Sequence, residues 1–295
     1  MIVQDRERTA ERLLNSSARN SYDPEVDIDW DAPLAPGKYY LSPQHCSLYG
    51  TELWQRMDLA QRIELSKHEL ASIASVGIWF EVILMELLVR QSYTDDPLSR
   101  HVQYALTEVA DECRHSVMFA RMIEKIGAPA YGPEPTARRL GSFFKATASG
   151  PAMFAGILVG EEIPDAFQRA WMNDESVQPL VRMVNRIHVI EEARHVRYAR
   201  EEVRRRVPRL SRTALAWHRG MLARLAYVVV RSLIHPDVYR SVGLDPVRAR
   251  GIARANPHHR ETLRWAGTKL IAFLDEHRLI GGSGTRLWRA TGLVS

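Results

Sequence analysis

The sequence has few of the features that mark several large classes of protein. Only Cys46 and Cys113 occur among its 295 residues, so no disulfide framework is implied and a reducing cytoplasm is the expected setting. No apolar run reaches membrane-spanning length, and the N-terminus lacks an apolar signal core, so no association with a membrane is expected. There is also no Gly-rich phosphate loop, internal repeat or convincing strand alternation, and the predicted class is therefore all-α.

Charge of one sign is not in excess either. The 40 basic and 35 acidic residues leave a formal charge of +5, which is too balanced to indicate nucleic-acid binding. The hydrophobic content of 45% is ordinary for a soluble globular protein and can supply a sizeable core. Cys113 is expected to be a small buried residue rather than a reactive thiol.

The most informative stretch is 187–200. His188, Glu192 and His195 stand there at offsets of zero, four and seven, which places them within roughly 60° of arc on a helix. The apolar residues Val184 and Ala199 continue the same stripe, so the helix is expected to point two imidazoles and a carboxylate into the core. These are metal-ligand types, and burying them without a partner would be costly.

A second copy of this pattern lies upstream, where Glu112 and His115 are again three residues apart. In both copies an acid precedes the Glu and an arginine precedes the His: Asp111 and Arg114 in the first, Glu191 and Arg194 in the second. A four-helix bundle can bind two metal ions with this motif on two helices and one Glu on each of the others. The sequence therefore predicts two further carboxylate ligands.

Candidates for both carboxylates lie in apolar helices upstream of the motifs. Glu81 and Glu86 occur in the first, Glu161 and Glu162 in the second. If the first hairpin turns near residues 94–97, Glu81 lies at the level of Glu112, whereas Glu86 lies about 7 Å too close to the turn at 1.5 Å per residue. This favours Glu81 with Glu86 as the alternative, and leaves Glu161 and Glu162 open.

Mixed carboxylate and imidazole ligands favour iron or manganese, whereas a structural zinc site would favour Cys and His. The acids that precede each motif, Asp111 and Glu191, are expected to accept the second N–H of a metal-bound imidazole. Arg114 and Arg194 could neutralise them. The alternative for all four is an exposed, charged helix face.

Two sequence features carry a family resemblance. The pair Asp-Glu-Cys-Arg-His and Glu-Glu-Ala-Arg-His resembles the signature of ferritin-like diiron-carboxylate proteins, and His188 resembles the third histidine ligand of the p-aminobenzoate N-oxygenase family. The match covers roughly 62–200 of this sequence. It implies these ligands: Glu81, Glu112, His115, Glu161, His188, Glu192 and His195.

The resemblance also implies a fold and a reaction. The fold would be a ferritin-like four-helix bundle. The pass along the chain, which finds no clear domain break, adds an arm at 1–46 and buttressing helices at 208–295 to metal-binding helices at 47–207, all in a single domain. Two iron ions, O₂ and an external electron donor would oxidise the nitrogen of a small amine toward hydroxylamine, nitroso or nitro products, in natural-product biosynthesis. A C–H hydroxylase or desaturase, and a non-catalytic iron-binding bundle, are the alternatives. The oligomeric state stays open, a homodimer included.

Overall fold

The computed structural model describes residues 2–294, and helices dominate this part of the chain. The α-helices, numbered in chain order, are α1 (Ile2–Arg19), α2 (Pro24–Asp27), α3 (Glu52–Arg56), α4 (Leu59–Ser92), α5 (Arg100–Lys125), α6 (Pro135–Thr147), α7 (Gly150–Trp171), α8 (Pro179–Arg206), α9 (Arg212–Ser232), α10 (Pro246–Ala255), α11 (Pro257–Glu276) and α12 (Thr285–Thr291). Within 2–294 the β-pairing is an isolated parallel bridge between Tyr39 and Val177. The all-α prediction is confirmed.

Four long helices form the bundle that holds the predicted ligands. Helix α4 packs on α5, α7 packs on α8, and α5 packs on α8 to join the two hairpins. Helix α1 lies across α5 and α8, while α9 and α11 cover α7 from the other side. One buried apolar cluster extends from Ala10 in α1 to Leu293 beyond α12. The predicted ferritin-like bundle with flanking helices is thus the observed architecture.

Apolar periodicity and turn residues predict helices at about 47–69, 70–93, 97–126 and 137–171, and three of these boundaries differ in the structure. A break near residue 69 is wrong, because α4 runs unbroken from a capping box between Asp58 and Gln61. One helix over 137–171 is also wrong, because Gly150 has φ +54° and Pro151 disfavours helical geometry in the residue before it. Helix α5 begins at Arg100 rather than Pro97, because Asp96 folds the preceding residues into a turn and accepts the Leu98 N–H at 2.9 Å.

The segment before α3 follows the surface of the bundle. The backbone N–H of Tyr39 donates to Ser176 at 2.9 Å, and the N–H of Gln178 donates to Tyr39 at 2.8 Å. The Gln178 side chain also accepts from the N–H of Ala35 at 2.9 Å. The arm is therefore fixed to the start of α8.

Helix α4 is apolar enough over an 18-residue window to cross a membrane by length and composition, with a mean hydropathy of 1.9. The expectation that no stretch reaches this length is wrong by this measure, because serine, alanine and glycine extend the apolar run without adding charge. Half of the window is buried in the bundle, and core helices of soluble proteins pass the same test.

The expected burial of Cys113 is wrong as well, because its side chain points outward from α5, with Sγ 3.4 Å from the Met85 sulfur.

Candidate metal centre

The four bundle helices bring all seven predicted ligands to one level of the interior. Helix α4 supplies one carboxylate, α5 a Glu and a His three residues apart, α7 one carboxylate, and α8 two His and a Glu on one stripe. The side chains are Glu81, Glu112, His115, Glu161, His188, Glu192 and His195, and each is at most 4% exposed. A set of acids and imidazoles this deeply buried requires mutual pairing, protons or cations.

Their donor atoms fall into three overlapping groups. Within each group the ligand atoms lie within 4.8 Å of one another. The groups are Glu112, His115, Glu192 and His195; Glu81, His115 and His188; and Glu161, His188 and Glu192. Because His115, His188 and Glu192 are shared between groups, the three groups form one continuous cluster, which has enough donor atoms for two adjacent cations.

Several buried atoms in this cluster have no hydrogen-bond partner in the described part of the chain. They include Glu81 Oε2, Glu192 Oε1 and His188 Nε2. Buried polar atoms in folded proteins are nearly always paired, so two unpaired carboxylate oxygens beside an imidazole lone pair call for cations. Carboxylate oxygens mixed with imidazole nitrogens suit iron or manganese. The residues therefore fit the predicted pair of iron ions.

The acids that precede the motifs hold the histidines from behind, and they do so across the bundle. His115 Nε2 lies 2.9 Å from Glu191 Oε2, and His195 Nε2 lies 3.2 Å from Asp111 Oδ2. Each acid therefore accepts from the histidine of the other motif. With Nε2 donating in this way, Nδ1 of each ring is left to face the cluster, which is how metal-binding histidines are commonly fixed in one tautomer.

The two arginines of the motifs lie on these same acids. Arg114 pairs with Asp111, and Arg194 Nη2 lies 3.6 Å from both Asp111 Oδ2 and Glu191 Oε1. Burial alone would raise the pKa of Asp111, but its hydrogen bond to His195 and the neighbouring positive charges hold that pKa below its ordinary value. The predicted neutralising contacts are present, and Asp111 stays ionised.

His188 is held in one tautomer by a glutamine from α7. Its Nδ1 lies 2.7 Å from Gln168 Oε1, and an amide oxygen can only accept, so Nδ1 carries the proton. The lone pair of Nε2 then faces the cluster, 3.5 Å from Glu81 Oε1. Burial first, and the charge of His115 second, lower the pKa of His188 well below its ordinary value. A neutral imidazole with its lone pair directed into the site is the form that binds a metal.

The alternative carboxylates lie outside the cluster. Glu86 is exposed and accepts from Lys145 Nζ at 2.9 Å. Glu162 accepts from Arg200 Nε at 2.8 Å. Helix geometry accounts for both, because Glu162 is turned by about 100° from Glu161 and Glu86 is displaced by more than one turn from Glu81.

Sequence reasoning missed two buried residues beside the cluster, Glu108 and Gln168. Both oxygens of Glu108 lack a hydrogen-bond partner among the described residues. Burial, which His195 opposes, raises the pKa of Glu108 to about 8. Spacing could have found both residues, since Glu108 precedes Glu112 by four positions and Gln168 follows Glu161 by seven, which keeps each on the ligand face of its helix.

A cavity of about 30 Å³ lies against this cluster and is lined mostly by apolar groups. Phe80, Phe119, Gly160 and Pro164 contribute to its wall, beside three of the predicted ligands: Glu81, Glu161 and His188. Pro164 lies inside α7, where it removes a backbone hydrogen bond three residues after Glu161. The cavity gives the centre an apolar side.

A family model described as p-aminobenzoate N-oxygenase AurF matches residues 3–278. Uncharacterized proteins from Mycobacterium bovis and from two strains of Mycobacterium tuberculosis are each 33% identical to the chain over 213 residues. The match covers 70% of this chain and 62% of each mycobacterial protein, so the chain spans less than two thirds of their length.

Proposed function

Because the chain belongs to the p-aminobenzoate N-oxygenase AurF family, we propose that it is an O₂-dependent diiron monooxygenase that oxidises the nitrogen of a small arylamine. The family is one of diiron N-oxygenases, and the amine, the reductant and a role in natural-product biosynthesis are part of the proposal. The observation that carries it is the third histidine. His188 is buried and neutral, and its Nε2 lone pair is turned toward Glu81 by the bond to Gln168.

When bound, two Fe(II) ions would supply two of the four electrons that reduction of O₂ requires, and an external donor would restore them. The protein's own contribution is to fix the donor atoms. Glu191 and Asp111 hold the rings of His115 and His195 across the bundle. Preorganised ligands need no rearrangement during turnover, which lowers the cost of each step.

The chain also controls water and protons around the centre. The apolar wall of the small cavity leaves little room for solvent beside Glu81 and Glu161. Burial raises the pKa of Glu108 to about 8, so this carboxyl is protonated at neutral pH and can donate a proton toward the ligand cluster. A dry site with a buried acid suits oxygen chemistry, because reactive species are kept from water.

The experiment is anaerobic reconstitution with Fe(II), measurement of iron per chain, and exposure to O₂ with p-aminobenzoate and a chemical reductant. We expect two irons per chain and products with oxidised nitrogen, detected by mass spectrometry. Oxidation at carbon alone would support a hydroxylase or desaturase instead. Iron below one per chain in folded protein would contradict the diiron site.

Two histidine variants sharpen this test. His188→Ala removes a predicted ligand, whereas His218→Ala removes a half-buried imidazole on α9 that lies outside the cluster. We expect His188→Ala to stay helical by circular dichroism, to show altered iron spectra and to lose amine oxidation. His218→Ala should retain both properties. Full activity in His188→Ala would remove the main argument for an N-oxygenase.

A further inference from the structure

The C-terminal helices border a second, much larger cavity beside the bundle, and this cavity is open to solvent. It has a volume of about 690 Å³, within the range of small-molecule sites. Its walls come from the ends of α7 and α9, from α10, α11 and α12, and from the segment before α3. We call it the arginine chamber, after the six arginines that line it: Arg231, Arg250, Arg254, Arg260, Arg264 and Arg289.

The charge in the arginine chamber is of one sign. No Asp or Glu is among its lining residues in the described chain, although acidic and basic residues are nearly balanced overall. Arg250 is paired from outside by Glu134 at 2.5 Å. Within 2–294, Arg231, Arg254 and Arg264 have no carboxylate within salt-bridge distance. Among the described residues, these three arginines therefore border one space without a carboxylate partner.

Three of the arginines, Arg231, Arg250 and Arg254, are close enough to interact unfavourably. Burial first, and then the charges of Arg231 and Arg250, lower the pKa of Arg254 below its ordinary value. Arg231 lies over the Tyr227 ring at 5.2 Å and donates to the Ala290 carbonyl at 3.5 Å, so its guanidinium is held at the chamber wall. Clustered like charges of this kind favour binding of an anion, and the planar guanidinium matches the oxygens of phosphate and carboxylate.

The arginine chamber adjoins the metal centre through an apolar wall. Ile73 and Trp171 line both this chamber and the 30 Å³ cavity beside the predicted ligands. Trp171 stacks on Phe167 with ring centroids 5.6 Å apart, and its Nε1 donates to His45 Nδ1 at 2.9 Å. A ligand that spans both spaces would therefore have an apolar middle and an anionic far end.

We propose that the arginine chamber binds a polyanionic group, phosphoryl or multiply carboxylated, which forms the remote end of the substrate. The apolar part of the substrate then reaches the metal centre past Ile73 and Trp171. The small cavity at the centre is too small to hold an arylamine by itself, whereas the chamber offers more than twenty times that volume. The assignment of this anionic group to a substrate rests on the proposed function, but the anion site does not.

Anion binding is tested first, without turnover. Inorganic pyrophosphate and citrate are titrated separately into the purified protein at low ionic strength by isothermal calorimetry, because exposed charges are screened by salt. We expect one site per chain. Tighter binding of pyrophosphate identifies the group as phosphoryl, and tighter binding of citrate identifies it as carboxylate. Absence of binding by both anions at 1 mM would overturn the proposal.

Three charge-matched variants locate the site. Arg254→Gln and Arg264→Gln each remove one chamber arginine, and Arg248→Gln removes an exposed arginine of α10 that does not line the chamber. Loss of one charge-assisted bond should weaken binding about 10-fold. Arg248→Gln should change it less than twofold. Equal weakening by all three variants would mean that the anions sense only the overall charge, and the proposal would fall.

The link to the metal centre is tested with a pair of amines. One is an arylamine with a phosphate at the end of an alkyl spacer, and the other carries a hydroxyl in place of the phosphate. Arg254→Gln should raise KM for the phosphate amine and leave KM for the hydroxyl amine unchanged. Anion binding without amine oxidation would leave the chamber standing and contradict the proposed function. Oxidation of both amines with equal KM in native protein would support the proposed function and contradict the role of the arginine chamber in substrate binding.

Discussion

Replacement of Gly160 by alanine tests how closely α7 must approach α4 beside the metal centre. A Cβ at Gly160 would lie 1.8 Å from Phe80 Cε1, whereas ordinary contacts begin at 3.4 Å. The ring must therefore retreat by about 1.6 Å, the difference between these distances, but Phe80 is only 4% exposed and precedes the predicted ligand Glu81. Overpacking of this kind costs about 1–3 kcal/mol, against at most about 1 kcal/mol gained by replacing a helical glycine.

A net loss of about 1–2 kcal/mol predicts a melting temperature lower by about 2–3 °C in a chain of this size. Iron per chain should fall as well, because Phe80 is displaced beside Glu81. Gly77→Ala is the matched control, since it lines the same cavity but its Cβ would meet nothing closer than Phe119 at 4.0 Å. The melting temperature of Gly77→Ala, measured by calorimetry, should be unchanged or slightly higher than that of the native protein. An unaltered melting temperature in Gly160→Ala, or a larger loss in Gly77→Ala, would refute the packing argument.

Three other changes probe the site and the core. Glu81→Ala should reduce bound iron to about one per chain, whereas replacement of the exposed Glu86 by alanine should keep two irons, as measured by plasma emission. The reverse result would show that Glu86, not Glu81, lies at the level of Glu112. Gln168→Leu should leave the fold intact and weaken iron binding about 10-fold or more, because the proton on His188 Nδ1 loses its acceptor, and unchanged affinity by chelator competition would count against this role. Burial raises the pKa of Glu69 to about 7. Between about pH 4.5 and 7 the folded chain therefore keeps a proton that the unfolded chain has lost. The free energy of unfolding should fall by about 3 kcal/mol as pH rises through this window. Glu69→Gln should remove that decline in urea unfolding at pH 5 and 8, and parallel declines in both proteins would disprove the assignment.

The order and type of the helices could be predicted, because apolar periodicity and turn residues are local signals. Their ends depended on contacts that the sequence does not display. Helix α4 passes through Glu69 without a break, and the Ser47 N–H and hydroxyl reach this buried carboxyl from the segment before α3. The break before α7 could have been predicted from the adjacent Gly150 and Pro151. The apolar helix that follows them continues the helical signal, so the two helices were predicted as one.

The cluster itself could be predicted because its chemistry repeats. Two Glu-x-x-His motifs on two helices leave few arrangements that bury four polar groups, and isolated acids in apolar helices complete the set. The partners across the bundle could not be predicted in the same way. That Glu191 serves His115, and Asp111 serves His195, depends on how α5 and α8 face each other, and spacing along one helix contains no information on that contact.

The protonation of the ligand carboxylates explains why ligand variants should remain folded. Burial raises the pKa of Glu81 and Glu161 well above the ordinary value. At Glu112 the effect of burial is outweighed by His195 and hydrogen bonds, which hold its pKa well below the ordinary value. Protons therefore supply part of the positive charge that this interior requires, and binding of a divalent cation must release them. Removing one acid lowers the excess of negative charge that has to be neutralised. Bound iron therefore reports on the role of each ligand more directly than stability does.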